Sequence, residues 1–171
     1  STIERSFFEL TTNKNAEKQL PKLLEESVVK RFPDEPFGIL FSGGVDSTLI
    51  AQIAKKHKKQ FTCFVTGVED PNWKQSEDVI WAKKAAKQHG FKLKEVILSQ
   101  KDVENLLQTV VPLIEDSNVV KVGVALPFYA ACKEARKQGI RVMFSGLGSE
   151  ELFAGYQRHQ KSSDINKECL S

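Results

Sequence analysis

The sequence predicts an α/β fold, a doubly wound and mainly parallel sheet with helices on both faces. Three observations carry this. Four short strand-like runs, Phe37–Phe41, Phe61–Val65, Phe91–Leu98 and Ile140–Phe144, alternate with stretches whose apolar residues recur at helical spacing. The first run is continuously apolar, as a strand covered on both faces is. Two of the runs lead directly into a glycine turn, Ser42–Ser47 and Ser145–Glu151, as the strand-to-helix joints of such sheets do. Right-handed crossovers place every strand's C-terminal end on one edge, where these sheets bind ligands. Both glycine turns therefore belong to that edge.

Each element has its own reason. Residues 1–14 carry little pattern, though Phe7, Phe8 and Leu10 suit an apolar edge. Ala16–Arg31 is an amphipathic helix by the spacing of Leu20, Leu23, Leu24, Val28 and Val29, and Pro33 and Pro36 end it. Phe37–Phe41 is the first strand, and the helix after its turn spans about Asp46–Lys58. Phe61–Val65 is the second strand, followed by a polar loop over Thr66–Gln75 that contains Gly67, Pro71 and Trp73. A helix opens at Ser76, carries Val79, Ile80, Ala82, Ala85 and Ala86, and stops at Gly90. Phe91–Leu98 is the third strand. Ser99 and Asp102 have the spacing of a capping box, and a helix continues through Val103, Leu106, Leu107, Val110 and Val111. Glu115–Val124 reads as irregular, Ala125–Gln138 as a helix with Pro127 in its first turn, and Ile140–Phe144 as the fourth strand. Beyond Gln157 the chain is polar, and Lys161–Asn166 reads as loose.

One domain is the natural reading of 171 residues. The net charge of +3 does not by itself point to nucleic acid. The densest basic group, Lys55, Lys56, Lys58 and Lys59, falls where a helix ends and suits the helix dipole. Cys63, Cys132 and Cys169 are far apart and form no C-x-x-C pair, so Cys63 and Cys132 read as buried thiols in a reducing compartment. The histidines have no ligand spacing, no run of 18 apolar residues exists and no signal peptide is visible. These features fit a soluble cytoplasmic protein with no membrane partner. A start at Ser1 rather than Met, with a polar end, suits a piece of something longer.

The first turn, Ser42-Gly43-Gly44-Val45-Asp46-Ser47, has a definite chemistry. A strand turning sharply into a helix gathers free backbone N–H groups and the positive end of the helix dipole, which makes an anion site. Glycine lets the main chain approach the anion. Asp46 repels phosphate unless it holds a divalent cation that phosphates also bind. A P-loop is excluded because the turn has no lysine, and a dinucleotide fingerprint is excluded by the glycine spacing. The hexapeptide resembles the pyrophosphate-binding loop Ser-Gly-Gly-x-Asp-Ser of the N-type ATP pyrophosphatase superfamily, whose members split ATP between its α and β phosphates.

Together with the second turn the resemblance narrows to the synthetase domain of the asparagine synthetase family, which includes β-lactam synthetase. The family motif reads Ser-Gly-Glu-Gly-x-Asp-Glu-Leu-Phe-x-Gly-Tyr. Ser145, Gly146, Gly148, Glu151, Leu152, Phe153, Gly155 and Tyr156 match it. The resemblance covers roughly residues 17–160 and implies an adenine nucleotide alpha hydrolase-like, Rossmann-like fold. It implies a synthetase domain over residues 1–160 and a flexible tail, 161–171, leading into a missing C-terminal part. It also implies ATP and Mg²⁺, with the β and γ phosphates on Ser42, Gly43, Gly44, Val45, Asp46 and Ser47, and the adenosine against Leu40, Thr66, Ser145 and Gly146. The metal falls to Asp46 and to Glu150, which stands where the family has Asp. The implied reaction joins a small-molecule carboxylate, activated as an acyl-adenylate, to ammonia or another amine, with a glutaminase domain or subunit as a possible nitrogen source. Leu147 stands where the family has a glutamate implicated in the amine step, and leucine cannot move a proton. Glu115, Asp116 and Lys121 are either substrate contacts at the same edge or solvated surface charges. Two other readings stand beside the ligase: an adenylating enzyme acting on a nucleobase or tRNA, and a nucleotide-binding module without ligase activity.

Overall fold

Phe37–Leu40 forms the inner strand β1, and Phe37 and Ile39 are wholly buried. The computed structural model describes residues 14–69, 76–156 and 161–163. The chain divides into two compact units, Ser1–Phe32 and Pro33–Ser171. In the first, helix α1 spans Ala16–Val29 with Pro21 inside it, and Arg31 donates to the Ser27 carbonyl at 2.6 Å. The expectations for Phe7, Phe8, Leu10, Pro71, Trp73 and Cys169 fall outside the described residues.

The second unit holds β1, α2 (Val45–Lys56), β2 (Phe61–Val68), α3 (Glu77–His89), β3 (Leu93–Leu98), α4 (Gln100–Ile114), α5 (Val119–Lys137), β4 (Met143–Phe144) and α6 (Ser149–Phe153). The sheet order is β3-β2-β1-β4 and every pairing is parallel. The predicted doubly wound α/β class is the observed one. The chain steps outward from β1 to β2 and β3, then returns through α4 and α5 to lay β4 on the other side of β1. Strand order thus reverses between β1 and β4, the position at which open α/β sheets bind ligands.

The pleat sorts side chains between the two helical layers. On one face Gly67 packs against Val79 of α3, and Lys83 of α3 pairs with Glu95 at 3.1 Å. On the other, Phe64 packs with Ala131, Ala135 and Ile140, and Leu98 with Leu106, Leu126 and Ala130. Phe61 and Phe91 meet with ring centres 5.7 Å apart, and Phe37 and Phe144 at 5.0 Å.

Several boundaries differ from the sequence reading. β2 runs on to Val68, because Thr66, Gly67 and Val68 pair with Val96, Ile97 and Leu98. The glycine taken for a loop signal makes room instead, since a Cβ on Gly67 would sit 2.6 Å from Val79 Cγ2. β3 starts at Leu93, after Gly90 (φ 66°) and the bond from Phe91 N–H to the Ala86 carbonyl close α3. β4 is only two residues long, because Ile140 N–H still bonds the Ala135 carbonyl of α5.

The largest correction is α5. Residues 119–124, read as irregular, are helical, which puts Pro127 inside the helix rather than in its first turn. Valines and Gly123 are poor helix formers, but the Asn118 side chain caps the segment by accepting from Val120 N–H at 3.0 Å and Lys121 N–H at 3.3 Å. The Ser99–Asp102 capping box forms as predicted. Cys63 is buried, and burial pushes its thiol up to about 12, whereas Cys132 is exposed on α5, contrary to expectation. No described helix is long and apolar enough to cross a membrane.

Candidate active site

The first turn is built by geometry that only glycine satisfies. Gly43 has φ 80°, and a Cβ there would meet the Trp81 backbone at 2.7 Å. Gly44 is the N-cap of α2, extended at φ −71° and ψ 172°. The hydroxyls of Ser42 and Ser47 lie 3.4 Å apart, and Ser42 Oγ accepts from Gly44 N–H at 3.3 Å. Asp46 stands in the first turn of α2, half-buried. The first N–H groups of a helix have no acceptor within it, so this end remains open to an anion.

The second turn follows β4. Leu147 N–H donates to Ser145 Oγ at 3.1 Å, and Ser149 Oγ donates to the Gly146 carbonyl at 2.9 Å and to Glu150 Oε2 at 3.2 Å. Gly148 (φ 93°) starts α6. Gly155 crosses over Glu150 so closely that a Cβ would lie 2.9 Å from Glu150 Cγ.

The two turns touch. A Cβ on Gly146 would lie 2.9 Å from Asp46 Cβ and 3.3 Å from the Ser47 nitrogen. Between them opens a cleft of about 260 Å³, which Leu40, Ser42, Gly44, Asp46, Ser47, Thr66, Ser145, Gly146 and Glu150 all help to line. Enclosed ligand pockets span roughly 300–1,000 Å³, so this cleft suits part of a nucleotide, with the remainder on the open edge. Gly43 and Val45 do not line it; they face a depression on the other side of the turn, beside Trp81 and Lys84.

Sequence reasoning missed six lining residues: Phe41, Phe64, Val65, Asp78, Pro127 and Phe128. Asp78, exposed in the first turn of α3, carried only the signal of an acidic helix start. Pro127 and Phe128 come from α5, whose true start was not read. Pro127 also receives a hydrogen bond at its carbonyl from Thr66 Oγ1, 3.0 Å long, which ties β2 to α5 beside the cleft. Glu115, Asp116 and Lys121 do not line the cleft. Asp116 instead pairs with Lys121 and accepts from Asn118 N–H, and these bonds, Lys121's first, hold its carboxyl below the usual range. Asp116 and Lys121 thus stand as an ion pair outside the cleft.

Among the described residues lining the cleft, the charged side chains are Asp46, Asp78 and Glu150, all acidic. Carboxylate oxygens fit a hard cation such as Mg²⁺. No group of three or more His, Cys, Asp or Glu among the described residues forms a complete cage. Mg²⁺ characteristically takes one or two carboxylates and completes its shell with water and substrate phosphates, so the donor set fits.

Fold and site together define an α/β domain in which two glycine turns and the acidic side chains of Asp46, Asp78 and Glu150 line one cleft at the switch point of a parallel sheet. Residues 19–169 match the asparagine synthase family model, and the chain belongs to that family. It is 34% identical over 175 residues to a putative glutamine-hydrolyzing asparagine synthetase of Methanocaldococcus jannaschii, covering 98% of this chain and 31% of the relative. It is 31% identical over 160 residues to the glutamine-hydrolyzing asparagine synthetase of Asparagus officinalis, covering 87% and 26%. The chain therefore spans under a third of the length of these relatives. An NH3-dependent NAD synthetase from Campylobacter jejuni shares the fold, with a TM-score of 0.50 at 16% identity over 84% of this chain and 60% of that one.

Proposed function

We propose that this chain is the catalytic part of an ATP-dependent, AMP-forming amide ligase. Residues 1–160 act as a synthetase domain in the cytoplasm. The observation that carries the proposal is the packing of Gly146 on Asp46, which makes the two turns one site. Family membership supports the same reading.

The β and γ phosphates rest on the N–H groups of the first turn, with the Ser42 and Ser47 hydroxyls as further donors. Asp46 and Glu150 hold Mg²⁺, which when bound offsets the charge of the triphosphate. A helix end supplies only about half a charge and roughly 0.3–1 kcal/mol, far too little for several phosphate charges. Leu40, Thr66, Ser145 and Gly146 flank the adenosine. A substrate carboxylate oxygen attacks the α-phosphorus, the bond from that phosphorus to the bridging oxygen breaks, and pyrophosphate leaves. An amine then attacks the acyl carbon and AMP leaves. The M. jannaschii and A. officinalis relatives are described as glutamine-hydrolyzing, which favours a glutaminase domain or subunit as the source of ammonia.

Leu147, which stands where the resemblance places a glutamate implicated in the amine step, favours a second reading: a nucleotide-binding module that has lost ligase activity. One assay separates the two. Incubation with ATP, Mg²⁺ and a panel of acids and amines yields AMP and pyrophosphate under the first. ATP binding with no pyrophosphate release under any pairing would overturn it.

A further inference from the structure

Building on the metal-holding role proposed above for Glu150, we infer that Ser149 is the positioning residue that fixes the Glu150 carboxylate in the cleft it shares with Asp46. The Ser149 hydroxyl carries one proton and faces two acceptors, the Gly146 carbonyl at 2.9 Å and Glu150 Oε2 at 3.2 Å. Gly146 in turn lies against Asp46, since a Cβ on it would stand 2.9 Å from Asp46 Cβ. Ser149 thus links the Glu150 carboxylate to the main-chain segment that touches Asp46. The bond to Gly146 is enough to hold the turn. The bond to Glu150 adds little to the turn and restrains the carboxylate instead. Asp46 and Glu150 both line the cleft and Ser149 does not, so Ser149 acts through Glu150 rather than on a bound nucleotide.

The aliphatic part of the Glu150 arm is held as well. Ala154, at φ 56°, turns the chain back, and Gly155 N–H donates to the Glu150 carbonyl at 3.0 Å. A Cβ on Gly155 would lie 2.9 Å from Glu150 Cγ and 3.2 Å from its Cβ, so the glycine packs directly on the arm. Both restraints answer one need. A glutamate side chain is among the costliest to immobilise, and Glu150 has one more torsion to fix than the aspartate that the resemblance places here. A ligating carboxylate binds a cation well when hydrogen bonds and packing hold its rotamer before the cation arrives. The Ser149 hydroxyl supplies the hydrogen bond and Gly155 the packing.

The test is calorimetric titration of the full chain with the β,γ-imido analogue of ATP, once with excess Mg²⁺ and once with EDTA. The unaltered protein is expected to bind the analogue more tightly with Mg²⁺. Ser149→Ala is expected to lose at least about tenfold in affinity with Mg²⁺ and nothing in EDTA, while Ser149→Thr, which keeps the hydroxyl, matches the unaltered protein in both. Circular dichroism checks that each variant is folded. Should Ser149→Ala not fold, Gly155→Ala, which pushes on the Glu150 arm, is read in its place with the same expected loss. Full affinity with Mg²⁺ in the alanine variant overturns the inference. So does an equal loss with and without Mg²⁺, because the residue would then act by holding the turn. Either result leaves the adenylating role standing. An unaltered protein that binds the analogue equally with Mg²⁺ and with EDTA overturns the metal-holding role itself, and this inference with it.

Discussion

At the residue scale, Asp46 and Gly43 carry the most testable chemistry. Asp46 sits half-buried at a helix start, in contact with the second turn. Asp46→Ala is expected to lower pyrophosphate release by at least about 10²-fold while the circular dichroism spectrum stays unchanged; normal turnover would remove its metal-holding role. Gly43 is constrained twice, by φ 80° and by the Trp81 backbone 2.7 Å from any Cβ, whereas Gly139 has φ 78° with nothing within 4 Å. Both alanine variants incur the left-handed strain of roughly 1–2 kcal/mol, but only Gly43→Ala adds a clash. Urea unfolding should therefore show Gly43→Ala as the more destabilised of the two. Equal losses would mean that the loop yields freely around Trp81. The glycines and serines of the turns were legible in the sequence because each answers a local backbone demand. Asp78 and Phe128 were not, because nothing local distinguishes an acid at a helix start or a half-buried aromatic from its neighbours.

At the element scale, two caps decide where helices begin. Asn118 holds the first turn of α5 through two backbone N–H groups. Asn118→Ala is expected to lower stability by about 1 kcal/mol, with faster amide exchange over residues 119–124; unchanged exchange there would mean that packing alone keeps the segment helical. The segment was illegible because its valines and Gly123 argue against a helix, and the cap that overrides them is a single residue. The Ser99–Asp102 box was legible because its spacing is the signal. Hydrogen bonds from Ser99 hold the Asp102 carboxyl below its usual 3.8. Its folded value is thus the lower one, so its contribution is complete above the unfolded value and is lost as pH falls below about 3.8 toward the folded value. Melting temperatures of the parent and Asp102→Asn are expected to differ at neutral pH and converge in acid; a constant gap would remove the ionised form from the cap.

At the scale of the whole α/β unit, function follows from strand order. β1 and β4 are neighbours in the sheet, yet β2, β3 and their helices intervene in the chain, so the turns that follow β1 and β4 are brought together by topology alone. The alternation of strands and helices made the parallel sheet legible. The placing of β4 beside β1 was not, because Met143–Phe144 is too short to declare its partner. The most direct measurement is a crystal structure of the full chain grown with a non-hydrolysable ATP analogue and Mg²⁺. The expected result is one nucleotide spanning both turns, its terminal phosphates on Ser42–Ser47 and a metal ion bound by Asp46 and Glu150. A nucleotide bound elsewhere, or one held by the first turn alone with Glu150 turned away, would contradict the account.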